Sequence, residues 1–164
     1  MSRIAIVTGG ASGIGAATVR RLEMLDVDAI SFDVQGNPPV DVSDQRALAK
    51  AVSDVRERHG PIDILVNCAG IAAGGPIDSD NYVEQWTRSL AVNLTGAMFA
   101  TRACLADLVA SDAGRIVNVA STEALGAQRG TGPYTVAKHA LLGFTRSLAV
   151  DYGHTGLTAN CVCP

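Results

Sequence analysis

The chain is poor in aromatics and in charge: of its 164 residues 4% are aromatic and 18% charged, with a formal net charge of −3. So mildly acidic a chain lacks the basic face of a nucleic-acid footprint, and nucleic acid is not an expected partner. No apolar run approaches the ~18 residues needed to span a bilayer, so no membrane partner is expected either. The opening MSRIAIVTGG carries no secretory signal pattern: its apolar stretch is short and leads straight into a glycine turn. There are four cysteines, Cys68, Cys104, Cys161 and Cys163. Their spacing fits neither a disulfide framework nor a zinc site, and no metal is expected. Cys161 and Cys163 sit two apart in a strand-like run and so share a face. The four read as buried, reduced thiols of a cytoplasmic protein. Internal repeats, low-complexity segments and charge runs are missing.

What is present is aliphatic. Hydrophobic residues make up 48% of the chain and glycines number 17, an α/β-like composition long enough for a single domain, 1–164, with a sizeable core. Residues 3–8 (RIAIVT) predict a buried strand. The turn Gly9-Gly10-Ala11-Ser12-Gly13-Ile14-Gly15 follows, and then a helical pattern through Leu25. Strand, glycine turn and helix start together suit a phosphate, because glycine lets the backbone approach and free N–H groups meet the anion. A tight turn without ligand would read the same way. Residues 28–33 predict a second strand ending in Asp33, about 20 residues beyond the turn, where an acid accepts hydrogen bonds from ribose hydroxyls and repels a 2′-phosphate. The following segment is too short for a crossover helix, so a third short strand ending at Asp41 and Val42 is expected directly after a turn at 35–39. Ser43 or Asp44 caps a helix over 44–59.

Residues 62–67 (IDILVN) predict a strand covered on both faces, ending in Asn67-Cys68-Ala69-Gly70. A helical stretch runs over 81–110 with a break near Gly96, and carries Asn93 on or near its apolar face, read from the residues alone as solvated or locally satisfied. Residues 115–120 predict another strand, ending at Ser121. A helix opens at Pro133 and continues to Tyr152, and a sixth strand covers 157–164. Alternating strands and helices predict a right-handed, mostly parallel sheet covered by helices on both faces, with functional groups at the strands' carboxyl ends. Asp33, Asn67 and Ser121 fall at such ends.

Tyr134 and Lys138, four apart after Pro133, share a helix face. Free tyrosine has a pKa of about 10, so bringing it near neutrality takes roughly 4 kcal/mol. One ammonium at about 4 Å supplies roughly that at an effective dielectric of about 20, and the helix N-terminus adds a smaller push. The pair is a feasible proton-transfer device.

Five features in order, Thr8-Gly9-x-x-x-Gly13-x-Gly15, Asp41-Val42, Asn67-x-Ala69-Gly70, Asn93, and Ser121 with Tyr134-x-x-x-Lys138, resemble the short-chain dehydrogenase/reductase family over the whole chain. The resemblance implies a Rossmann-type, doubly wound parallel sheet and an oxidoreductase that moves a hydride between NAD(H) and a secondary alcohol or ketone. It implies that Gly9, Gly13 and Gly15 cradle the pyrophosphate with Ser12 and Ile14, that Asp33 selects NAD over NADP, and that Asp41 and Val42 contact adenine. It places Asn67, Ala69 and Gly70 beside the adenosine half. Cys68 departs from the family's usual second Asn. Asn93, Ser121, Tyr134 and Lys138 match the catalytic tetrad. Tyr134 would be the general acid/base, and Ser121 would bond the substrate oxygen. Lys138 would lower the Tyr134 pKa and hold the nicotinamide ribose, and Asn93 would hold a water of a proton relay. The resemblance also implies a homodimer or homotetramer built through helices 81–110 and 133–152.

Family members usually run to about 250 residues, with a glycine after the strand-end proline, a substrate-covering segment and a last strand. Against that pattern the chain reads as a fragment ending at Pro164, with the last strand and substrate loop missing. Its alternative function is a non-catalytic dinucleotide-binding or oligomerisation module.

Overall fold

The computed structural model describes residues 2–164. Five parallel strands, β1 (Ile4–Thr8), β2 (Asp28–Phe32), β3 (Ile64–Asn67), β4 (Arg115–Val119) and β5 (Thr158–Val162), form one sheet in the order β2-β1-β3-β4-β5. The chain leaves β1 toward β2 and returns to the other side of β1 as β3. The carboxyl ends of β1 and β3 therefore flank the point where the winding reverses, the place where ligands bind in open α/β sheets. Register keeps those ends level, with Thr8 opposite both Phe32 and Asn67, and Asn67 opposite Asn118.

Alternation along the strands divides the core in two. Ile4, Ile6, Phe32, Leu65 and Ile116 face helices α2 (Gln45–His59), α4 (Gly96–Ala110) and α5 (Gly132–Tyr152), packing on Leu48, Val52, Cys104, Leu108 and Leu148. Val7, Val66 and Val119 point the other way, toward Val19 and Leu22 of α1 (Gly13–Glu23). Both faces thus carry helices, α2, α4 and α5 on one and α1 on the other. The α2 N-terminus is capped by Asp44, whose carboxylate accepts from the N–H groups of Arg46 and Ala47 at 2.9 and 3.0 Å. Arg56 ties α2 to α4: its Nε donates to Asp107 Oδ2 at 2.9 Å and its guanidinium to the Ala103 carbonyl at 3.2 Å. Among the described residues, no helix is long and apolar enough to cross a membrane.

Three expectations need correction. The third short strand at 40–42 does not form, and the sheet has five strands with β2 at its edge. The Val40 N–H donates to the Asp33 carbonyl at 2.9 Å, folding the segment back on the end of β2, while Val40 and Val42 bury their side chains beneath it. The long helix is not broken at Gly96. Instead α3 (Tyr82–Leu90) passes through a π-helical turn, Ala91–Thr95, directly into α4. Gly96 serves close packing, since a Cβ there would stand 2.7 Å from Val42 Cγ2. Of the four thiols only Cys104 is fully buried, and burial pushes it up to about 12; Cys68, Cys161 and Cys163 are half-buried.

Candidate active site

The glycine turn and the end of β3 are packed too closely for side chains. Gly9 adopts φ +67°, and a Cβ on it would stand 2.8 Å from the Ala69 backbone. A Cβ on Gly15 would stand 2.1 Å from the Gly9 carbonyl oxygen, whereas one on Gly13, at φ +52°, would meet nothing within 4 Å. Gly9 and Gly15 let backbones touch, and Gly13 faces open space. Thr8 holds the two strand ends together, its Oγ1 accepting from the N–H groups of Cys68 and Ala69 at 3.1 Å each.

A groove of about 680 Å³ runs over these strand ends. Gly9, Ser12, Gly13, Ile14 and Gly15 form its middle, with Ala69 and Gly70 opposite. Asp33, Asp41 and Val42 line one side, and Ser121, Tyr134 and Lys138 also line it. The Asp33 carboxylate is stitched to its surroundings: Oδ2 accepts from the Ala11 N–H at 3.1 Å and Oδ1 from the Gln35 N–H at 2.9 Å. Asp41 Oδ1 accepts from the N–H and hydroxyl of Ser43.

Two of the sequence-predicted residues stand behind the wall. Asn67 is buried in the core, where its Nδ2 donates to Asn118 Oδ1 at 2.8 Å and Thr101 Oγ1 at 3.3 Å. Asn118 in turn donates to Thr145 Oγ1 at 2.8 Å, so a polar chain crosses from β3 through β4 to α5. Asn93 is buried in the π-helical turn and grips the backbone of Ile71.

Ser121 ends the extended run after β4, and its Oγ accepts from the Glu123 N–H at 3.2 Å. Tyr134 and Lys138 rise from the first turns of α5, which Pro133 helps to open. The Lys138 ammonium donates to the Val119 carbonyl at 2.8 Å and stands 5.5 Å from the Tyr134 ring centroid. Burial pushes this ammonium below its ordinary pKa, opposed by the thiols of Cys68, Cys161 and Cys163.

A nicotinamide dinucleotide fits this cradle. Glycines at 9, 13 and 15 leave the turn without a Cβ at those positions, the space over Gly13 is open, and an acid suited to ribose hydroxyls stands on the same groove as the tyrosine, serine and lysine. Sequence reasoning assigned no role to Arg88, which lines the groove, or to Glu123, which bonds residues eight and twelve positions further on. No spacing rule marks either residue. Thr8, quoted within the glycine motif, turns out to be the clasp between β1 and β3.

Residues 3–164 match the family model described as short chain dehydrogenase. Among curated proteins, 2-(R)-hydroxypropyl-CoM dehydrogenase of Xanthobacter autotrophicus is 36% identical over 185 aligned positions, covering 100% of this chain and 74% of that protein. Meso-2,3-butanediol dehydrogenase of Serratia marcescens is 31% identical, covering 99% of this chain and 70% of that one. Among solved structures, ligand-free aldohexose dehydrogenase of Thermoplasma acidophilum superposes with a TM-score of 0.94 at 30% identity, over 99% of this chain and 66% of that chain. A blue fluorescent protein from a metagenomic library, in complex with NADPH, superposes with a TM-score of 0.89 at 34% identity, over 99% of this chain and 73% of that chain. The relatives are dehydrogenases and reductases, and the chain belongs to the short-chain dehydrogenase/reductase family of oxidoreductases.

Proposed function

We propose that this protein oxidises a small secondary alcohol to a ketone, or runs the reverse reaction, with NAD as its coenzyme. The observation that carries the reading is that Ser121, Tyr134 and Lys138 line the same groove as the glycine turn and Asp33. A bound nicotinamide dinucleotide supplies the hydride acceptor or donor; the chain's own residues handle the proton and the geometry. Tyr134 takes the proton of the alcohol hydroxyl in the oxidative direction and returns it in the reverse direction. The Ser121 hydroxyl, whose oxygen already accepts from the Glu123 N–H, directs its own hydrogen to the substrate oxygen. Lys138 has one proton committed to the Val119 carbonyl and two to offer toward Tyr134 and the nicotinamide ribose. Asn93 holds the Ile71 backbone beside the site, with a proton-relay water as its further role.

Asp33 supports NAD over NADP, because its carboxylate would repel a 2′-phosphate and no lysine or arginine lies in residues 9–15. The exposed apolar side chains Val83 on α3 and Val136 and Val150 on α5 support assembly into a homodimer or homotetramer. The test combines calorimetric titration of NADH and NADPH with NAD reduction on a panel of secondary alcohols that includes 3-hydroxybutyrate and 2,3-butanediol. The expected outcome is tighter NADH binding, turnover of at least one alcohol, and loss of turnover by about 10²–10⁴-fold in Tyr134→Phe with NADH affinity kept. Dinucleotide binding with no turnover of any alcohol or ketone would make the chain a binding module instead.

A further inference from the structure

We infer that Glu123 is a positioning residue of this site: its carboxylate ties the helix turn that carries Tyr134 to the loop that carries Ser121. The inference rests on the dehydrogenase reading above. Glu123 is only 6% exposed. Its main-chain N–H donates to Ser121 Oγ at 3.2 Å. Its Oε2 accepts from Thr131 Oγ1 at 3.0 Å, from the Gln128 N–H at 3.3 Å, and from Thr135 Oγ1. Thr131 is the residue before α5 and Thr135 lies next to Tyr134. One residue therefore touches Ser121 through its backbone and brackets Tyr134 through its side chain.

The α5 N-terminus has no side-chain cap: the Thr131 hydroxyl makes no capping bond and instead serves Glu123 and its neighbours. A carboxylate beside a helix N-terminus also suits the helix dipole. The hydroxyls of Thr135 and Thr131 and the Gln128 N–H hold the Glu123 carboxyl below its usual range against burial, with His139 one turn along α5 acting the same way. The loop so fastened is itself docked. The Gly75 N–H donates to the Gly130 carbonyl at 2.7 Å, and Gly74 packs so closely that a Cβ would stand 2.1 Å from that oxygen. Gly74 and Gly75 lie a few residues beyond Ile71, which Asn93 grips. Ser121 and Tyr134, the two groups that meet a substrate oxygen, are thus joined through Glu123, and their loop is tied in turn to the segment that Asn93 grips.

A misplacement of about 1 Å in such a constellation costs on the order of 10²-fold in rate. The test compares Glu123→Ala, Glu123→Gln and, as a milder variant, Thr135→Val. Hydrogen–deuterium exchange across 122–135 is read first, then kcat with 3-hydroxybutyrate or 2,3-butanediol, whichever the parent turns over, and the NADH Kd. Glu123→Ala should raise exchange in 122–135 by more than about tenfold and lower kcat about 100-fold, with the NADH Kd within about twofold of the parent. Glu123→Gln keeps an acceptor oxygen and should recover most of both, while Thr135→Val should fall in between. Unchanged exchange in Glu123→Ala would overturn the proposal, as would raised exchange with unchanged kcat, or NADH affinity falling in step with kcat. If Glu123→Ala does not fold, Thr135→Val decides: kcat equal to the parent with 122–135 protected would overturn it. A parent that turns over neither alcohol would count against the dehydrogenase reading alone, because the exchange experiment still decides whether Glu123 holds the two segments together.

Discussion

The side chain of Asn93 holds the backbone of Ile71 at two points: Oδ1 accepts its N–H at 3.0 Å and Nδ2 donates to its carbonyl at 3.1 Å. The same Nδ2 donates to Ser89 Oγ at 3.1 Å. The amide thereby joins the π-helical turn to the loop beside the groove, and it does so from a fully buried position.

Asn93→Ala removes three hydrogen bonds and leaves the partly buried backbone groups of Ile71 without this partner. At about 1 kcal/mol per bond, chemical denaturation should show a loss of about 3 kcal/mol. Gly70→Ala should act on the same contact, because its Cβ would stand 2.8 Å from Asn93 Oδ1. The two losses should not add: in the Asn93→Ala background the Gly70→Ala cost should shrink by at least about 0.5 kcal/mol. Full additivity would show that the pair is not in contact.

Gly15→Ala should destroy dinucleotide binding. The new Cβ would lie 2.1 Å from the Gly9 carbonyl oxygen, a backbone atom that can yield only by moving the turn. Calorimetry should show NADH affinity lower by at least about 100-fold, or about 2.7 kcal/mol. Gly143→Ala provides the contrast. That glycine is exposed within α5 with nothing within 4 Å of its Cβ position, and the change should add about 0.5–1 kcal/mol of stability. Equal effects of the two substitutions would remove close packing as the reason for Gly15.

Asp33→Ala should relax the NAD preference. It deletes the charge that would repel a 2′-phosphate, together with the acceptors of the Ala11 and Gln35 N–H groups. The ratio of NADPH to NADH dissociation constants should fall by at least about tenfold, or about 1.4 kcal/mol. An unchanged ratio would take Asp33 out of coenzyme selection.

Lys138 makes stability depend on alkaline pH. Burial lowers its folded-state pKa, so the unfolded chain binds more protons between that value and about 10.4, and stability rises with pH across the window. Below it the buried ammonium is a cost. Lys138→Met removes the titration, so the melting-temperature difference, variant minus parent, should fall as pH rises from about 7 toward about 10. A flat difference would mean that the ammonium is not desolvated. Turnover should be lost in this variant at every pH.

The sequence by itself determined the elements and the chemistry carried at their ends. Apolar runs predicted all five strands, the glycines marked the turn before α1, and Tyr134 and Lys138 were placed on one helix face by spacing alone. Such features are local: they follow from backbone period, glycine conformation and side-chain type within a few residues. What depended on long-range contact was misread or unseen. Asp41 and Val42 read as the end of a short strand directly after a turn, but a strand also needs a partner, and the Val40 N–H bonds back to Asp33 instead. From the residues alone Asn93 reads as solvated or locally satisfied, and by the resemblance as a tetrad member; it does bond Ser89 nearby, but its other partner, Ile71, lies 22 residues away. Glu123 carried no signal at all, because its role exists only once α5 folds back beside Ser121. The tertiary structure alone decided which side chains line the groove and which support it from behind. Asn67 and Asn93 lie behind the wall, and Ser121, Tyr134, Lys138 and Asp33 lie on it. The physical reason is that packing brings distant backbones within hydrogen-bond reach, a distance that no local pattern encodes.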